Sequence, residues 1–125
     1  MAAQQQAPAA APPRLVKVSD DLYVIQNANH TVAEIGQNGG NVAVIVTSEG
    51  VVVVDSKFAR MHDDILAKVR SVTDRPIRYL ILTHNHGDHA DGAARFQAEG
   101  VSVISSIASR DHMARAGMAG RAQIA

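Results

Sequence analysis

The chain has 125 residues, 46% of them hydrophobic and 19% charged, which is enough for one domain and no more. Twelve basic and twelve acidic residues balance and mix, so the charge offers no case for a nucleic acid or a membrane surface as partner. Cysteine is absent, which excludes disulfides and thiolate metal ligands, and no run approaches the ~18 apolar residues of a membrane span.

Residues 2–13 read Ala-Ala-Gln-Gln-Gln-Ala-Pro-Ala-Ala-Ala-Pro-Pro, a low-complexity stretch that cannot bury a core. The expected organisation is therefore a disordered tail over 1–13 and a domain over 14–125. The tail lacks the basic start and leucine-rich run of an export signal. Its composition resembles the linker left after a signal peptide is removed, with Met1 added afterwards, which favours a periplasmic or secreted location over a cytoplasmic one.

Leu15–Val18 and Leu22–Gln26 flank Ser19-Asp20-Asp21 and predict a hairpin. Residues 27–40 read as a polar loop rich in Asn and Gly, with His30 inside it. Gly39-Gly40 then releases the chain into a strand over 41–47, and Ser48-Glu49-Gly50 turns it back along Val51–Asp55. The continuous valines predict strands buried on both faces, as in the middle of a layered α/β fold.

Met61, Ile65, Leu66, Val69 and Val72 recur at helical spacing and predict a helix from Arg60 to Val72. His62 falls with Asp63, Asp64, Lys68 and Arg70 on its wet side and is given no function. Pro76 ends that helix, and a strand follows over 78–82. A helix over 92–99 stopped by Gly100, a strand over 101–105 and a helix over 107–116 complete the pattern. His112 is expected on the surface of the last helix, and residues 117–125 show no clear element. The order ββ, ββ, α, β, α, β, α predicts an α/β fold: one mixed sheet with helices on a single side.

Directly after the apolar run Tyr79-Leu80-Ile81-Leu82 comes His84-Asn85-His86-Gly87-Asp88-His89. Imidazoles and a carboxylate at such short range are the types that hold zinc, and loops at strand ends are where active sites gather. Thr83 and Asn85, rather than apolar residues, stand between and beside them, which argues against burial in a core. Alternation in an extended loop sends His84 and His86 to one side. Asp88 and His89 follow where the chain turns into a helix. One ion held by His84 and His86, and a second by Asp88 and His89, is the expected geometry.

His-x-His-x-Asp-His after a buried strand resembles the signature of the metallo-β-lactamase superfamily. Asn41–Val46 and Val51–Asp55 resemble the paired strands upstream of that family's motif, and the following helix and strand keep the family's order, so the likeness spans about residues 14–112. It implies an αββα sandwich of two similar halves, of which this chain supplies about one half. It further implies a zinc-dependent hydrolase with two ions per complete site. His84 and His86 would bind the first zinc, Asp88 and His89 the second, and Asp88 would also act in catalysis by orienting the nucleophile. A bridging water, its pKa lowered to near ~7 by the ions, would attack a β-lactam, thioester, lactone or related small-molecule ester.

Three other residues are read through the same likeness. Asp55 resembles a carboxylate that bridges or supports the metals in some members; its alternative reading is a strand-end turn residue. His30 lies where family loops overhang the site, or is an ordinary loop histidine. Asp91 replaces a common glycine after the last ligand and is expected to cap the next helix. The rival reading belongs to another class, a truncated, non-catalytic zinc-binding or interaction module. Two histidines leave a zinc short of the three protein ligands usual in catalysis. The valine-rich sheet face, without a second half above it, should be exposed and should drive self-association.

Overall fold

β-Branched residues dominate the extended runs 42–47 and 51–54, and these assemble with the chain's other extended runs into one mixed sheet. The computed structural model describes residues 9–116; residues 1–8 of the tail expected over 1–13 and the stretch 117–125 lie outside the described residues. The strands are β1 (Arg14–Ser19), β2 (Leu22–Gln26), β3 (Val42–Thr47), β4 (Gly50–Val54), β5 (Ile77–Ile81) and β6 (Ser102–Ile104). They lie side by side in chain order. The pairs from β1 to β4 are antiparallel, whereas β4, β5 and β6 run parallel. Parallel neighbours need crossovers. α2 (His62–Arg70), after a 3-10 turn at Ala59–Met61, supplies the first; α3 (Gly87–Ala90) and α4 (Ala93–Ala98) supply the second. α5 (Ile107–Ala116) follows β6.

Register assigns the side chains to faces. One rung runs Tyr23, Val44, Val53, Leu80, Val103, with Ile25 and Val42 paired one rung along. These residues form the core with Ile65 and Val69 of α2, Ala93 and Phe96 of α4, and Met113 of α5. Each fully buried Val, Leu, Ile, Phe or Met contributes about 1.5–3 kcal/mol relative to exposure, so this layer holds the fold together. The opposite face carries Val16, Val24, Ala43, Val54, Ile81 and Ile104 on one rung across all six strands, and none of them is buried.

That second face corrects the expectation of strands buried on both sides. Val51 and Val53 are buried, but Val52 and Val54, pointing the other way, are half-exposed. A second correction falls at 27–40, expected as a loop. Residues Val32–Asn38 form α1, opened by a capping box in which Thr31 Oγ1 accepts from Glu34 N–H and the Glu34 carboxylate takes the Thr31 N–H. His62 is the third. It is fully buried rather than on the wet side of α2, its Nε2 bonded to Glu99 and its ring edge-on to Phe96 at 4.5 Å. Phe96 and Glu99, from α4 and its end, fill the space that a wheel drawn on one helix leaves to solvent.

Residues 9–13 are partly fastened to α1: Ala10 N–H donates to Gln37 Oε1 at 2.7 Å and Asn38 Nδ2 to the Ala11 carbonyl at 3.1 Å. Among the described residues no helix is long and apolar enough to cross a membrane.

Candidate metal centre

The parallel strands β4 and β5 end side by side, and the chemistry gathers at their carboxyl ends, where open α/β sheets present their ligand sites. Asp55 N–H, just past β4, donates to the Ile81 carbonyl at 2.8 Å, which locks the two exits together. Asp55 is buried and held at φ +67°, a conformation that Asp adopts more readily than most residues. That turn aims its carboxylate under the next loop. Oδ1 accepts from Thr83 N–H at 2.8 Å, while Oδ2 lies 2.8 Å from both Thr83 Oγ1 and His89 Nδ1. Thr83 Oγ1 is also 2.8 Å from His84 Nδ1.

With Asp55 as an acceptor, these contacts fix a proton order. His89 Nδ1–H donates to Asp55, the Thr83 hydroxyl donates to Asp55, and His84 Nδ1–H donates to Thr83. Both imidazoles are engaged through Nδ1, so in their neutral form Nε2 is the nitrogen that can bind a metal. Asp55 therefore orients the His89 ring and the Thr83 hydroxyl as well as closing a turn.

His86 precedes α3 in extended conformation, and the single helical turn after it carries Asp88 and His89 back beside it; His89 and Ala90 N–H both bond to the His86 carbonyl. The donor atoms of His84, His86 and Asp88 all lie within 4.8 Å of one another, as do those of Asp55, His84 and His89. The His84 ring is 4.7 Å from that of His86 and 4.2 Å from that of His89, and His89 Nε2 is 3.3 Å from Asp88 Oδ2. The four expected ligands thus come together, but not as two separate pairs: His84 belongs to both groups. Because both Asp55 oxygens are engaged by Thr83 and His89, the His84–His86–Asp88 trio is the one with open donor atoms.

Three further residues, none of them read as part of the site in the sequence, shape it. Gly40 N–H donates to the Asp88 carbonyl at 2.9 Å, and a Cβ there would sit 2.4 Å from His89 Cε1, so nothing larger than glycine fits against that ring. Ser56 holds the His89 carbonyl with both its N–H and its hydroxyl, each at 2.8 Å. Lys57 is fully buried at φ +54°, with Nζ donating to the Gly40 carbonyl at 2.6 Å. Burial pulls its pKa down from 10.5 to about 8, against the opposing pull of Asp64, with Lys68 adding to the lowering. A short G-G pair was the one readable signal here. It marks the close approach at Gly40, not merely a release into β3.

Beside the cluster lies a groove of about 260 Å³, lined by Asn27, His30, Ile35, Gly40, Asn41, Asp88 and His89. His30 is exposed at φ +57° and faces this groove, so it stands on the open side of the site. A larger cleft of about 650 Å³, lined by Glu49, Val52, Arg78 and Tyr79 among others, opens around the β3–β4 turn and carries no histidine. Chemistry, not volume, selects the smaller one. Asp91 does not cap its own following helix: its carboxylate accepts from Ala59 N–H at 2.8 Å, capping the distant 3-10 turn, and Gly92 occupies the position before α4. His112 is exposed on α5 and belongs to neither donor group.

Fold and cluster together define a mixed-sheet α/β domain with a histidine–aspartate loop at the ends of its parallel strands. Residues 35–124 match the family model of the Metallo-beta-lactamase superfamily, and the chain belongs to that superfamily. It is 31% identical over 113 residues to the metallo-beta-lactamase type 2 of Elizabethkingia meningoseptica, covering 82% of this chain and 43% of that protein. It is 33% identical over 57 residues to the linear primary-alkylsulfatase of a Pseudomonas species, covering 45% of this chain and 11% of that one. Among solved structures, the metallo-beta-lactamase FIM-1 from Pseudomonas aeruginosa in its mono-zinc form superposes with a TM-score of 0.73 at 18% identity. That match covers 89% of this chain and 49% of FIM-1, and it shows a shared fold. The chain spans less than half the length of each of these three proteins.

Proposed function

We propose that this chain carries the metal-ligand half of a zinc-dependent hydrolase, with His84, His86, Asp88 and His89 as ligands. The observation that carries the reading is the convergence of His84, His86 and Asp88 within 4.8 Å, with His89 Nε2 3.3 Å from Asp88. The donor set fits zinc: imidazole nitrogens and a carboxylate, with two of the imidazoles, His89 and His84, held through Nδ1 by Asp55 and Thr83. FIM-1 was solved in a mono-zinc form, which supports the same metal here; a complete site is read as holding two ions. Zinc bound there supplies a Lewis acid and makes a nearby water acidic enough to react at neutral pH.

The chain's own residues do the rest. Asp88 has one oxygen near His89, and its other accepts a hydrogen bond from the attacking water and aims it. Asp55 holds His89 in one tautomer throughout. The groove lined by Asn27, His30, Ile35 and Asn41 receives the substrate beside Asp88. A β-lactam, thioester, lactone or sulfate ester suits this reaction class, and relatives named as a lactamase and an alkylsulfatase support that range. The alanine-, glutamine- and proline-rich composition of residues 2–13 supports a periplasmic or secreted location, which cell fractionation tests.

The test is made on the complete protein. Hydrolysis should be lost on chelation and regained with zinc, and Asp88→Asn should depress turnover far more than folding. Activity surviving both treatments would refute the reading. A second reading, a non-catalytic zinc-binding or interaction module, is favoured by the bare apolar face of the sheet. Zinc uptake without any hydrolysis in the complete protein would select it.

A further inference from the structure

We propose that Lys57 is a positioning residue for the metal loop: its buried ammonium fixes the Gly40 carbonyl and, through Gly40, sets the places of Asp88 and His89. The inference rests on reading the 84–89 loop as a metal centre and adds a residue to it from outside the motif.

An ammonium is among the groups least often fully buried, because removing it from water is unfavourable unless a partner compensates. Lys57 is nevertheless fully buried, and its backbone takes a left-handed conformation disfavoured for a long side chain. Methionine would fill the same space without a charge, so packing alone does not account for lysine here. What lysine adds is a strong donor at the end of a long stem. That donor reaches Gly40 O at 2.6 Å.

Gly40 is the point where the metal loop is gripped from outside. Its N–H holds the Asp88 carbonyl at 2.9 Å, and its Cα stands so close to the His89 ring that a Cβ would lie 2.4 Å away. A shift of Gly40 therefore moves one ligand by its backbone and crowds or frees the other by its ring. Lys57 pins Gly40 from the far side. Its own carbonyl accepts from Gly92 N–H at 3.2 Å, just past α3. Asp55, Ser56 and Lys57, three consecutive residues leaving β4, thus hold the His89 ring, the His89 carbonyl and the Gly40 strand entry respectively.

Zinc affinity of the full 125-residue chain, by competition with a chromophoric chelator, tests this together with the visible spectrum of the cobalt(II)-loaded chain. Lys57→Met should fold, with a metal-free melting temperature equal to or above wild type, because a buried charge is gone. Its zinc affinity should nevertheless fall about 10–100-fold, the range for losing a group that supports a ligand, and the cobalt spectrum should change shape. Opposite movement of stability and affinity separates positioning from a merely structural role. Should Lys57→Met not fold, Lys57→Gly, whose backbone tolerates φ +54°, takes its place with the same expectation for zinc affinity and the cobalt spectrum; its melting temperature falls because a cavity replaces the stem. A folded variant with unchanged zinc affinity and cobalt spectrum overturns the inference. If wild type and a His84→Ala, His86→Ala double variant bind zinc alike, the metal-centre reading falls, and this inference with it.

Discussion

Leu80 and Ile81 are neighbours in β5, both aliphatic, and they live in different worlds. Leu80 is fully buried beneath the helices; Ile81, on the other face, is 37% exposed, as are Val16 and Ile104 to a similar degree on the same rung. The residue types on the two faces scarcely differ, so composition does not decide which face is covered. Helices α2, α4 and α5 decide it, because their apolar side chains all meet one face. The 84–89 loop belongs to the covered side in its support: Asp55, Ser56 and Lys57 leave β4, Gly40 enters β3, and all four hold the loop in place. A braced site can therefore stand beside a sheet face with no cover of its own among the described residues.

Adjacent substitutions sharpen that contrast most. Leu80→Ala should lower unfolding free energy by about 2–5 kcal/mol, the range for deleting a buried leucine's side chain. Ile81→Ala should cost less than about 1 kcal/mol, as at other partly exposed positions. Urea denaturation at low protein concentration measures both, and equal losses would mean that the second face is covered in solution.

Lys57, on the covered side, should leave a mark in pH. Its folded pKa, about 8, lies below the ordinary 10.5, so between those values the unfolded chain binds the extra proton. Stability should then rise as pH climbs from about 8 toward 10, by something on the order of 3 kcal/mol, and should be flat below 8 where both states are charged. Melting curves of wild type against Lys57→Met isolate this contribution; a parallel pH profile in the two would contradict it.

Asp55→Asn keeps a residue that tolerates φ +67° but weakens the hold on His89. Zinc affinity should drop about 10–100-fold, or roughly 1.4–2.7 kcal/mol, with the far-ultraviolet circular dichroism unchanged. An unchanged affinity would show that the loop does not depend on the covered side.

The smallest effect on folding is expected on the open face. Apolar surface of this kind drives association, so the wild-type chain should sediment as dimers or larger species. Ile81→Lys with Ile104→Lys should shift it toward monomer while changing stability little. A wild-type chain that is already monomeric would break the link between the bare face and self-association.

Much of this was legible in the sequence because its signals are local. Apolar runs bounded by turn residues mark all six strands, and the spacing of His84, His86, Asp88 and His89 marks the loop. What was not legible depends on distant partners. His62 reads as polar surface until Phe96 and Glu99 arrive from more than thirty positions away. Lys57 has no periodic pattern to betray its burial, and a charge is ordinarily solvated. α1 did leave a signal, the Thr31-Val-Ala-Glu34 capping box, but seven residues with a glycine inside give little periodicity to follow. The closeness of Asp88 to His84 and His86 has a geometric reason that spacing alone does not give: one helical turn at α3 folds it back onto them.

The measurement that bears most directly on the metal centre is a zinc titration of the chain beside its His84→Ala, His86→Ala double variant, both checked for folding. Wild type should take up zinc with a defined stoichiometry, and the double variant should lose that uptake because the trio with open donor atoms keeps only Asp88. Equal stoichiometry and affinity in the two proteins would contradict the assignment of the 84–89 loop.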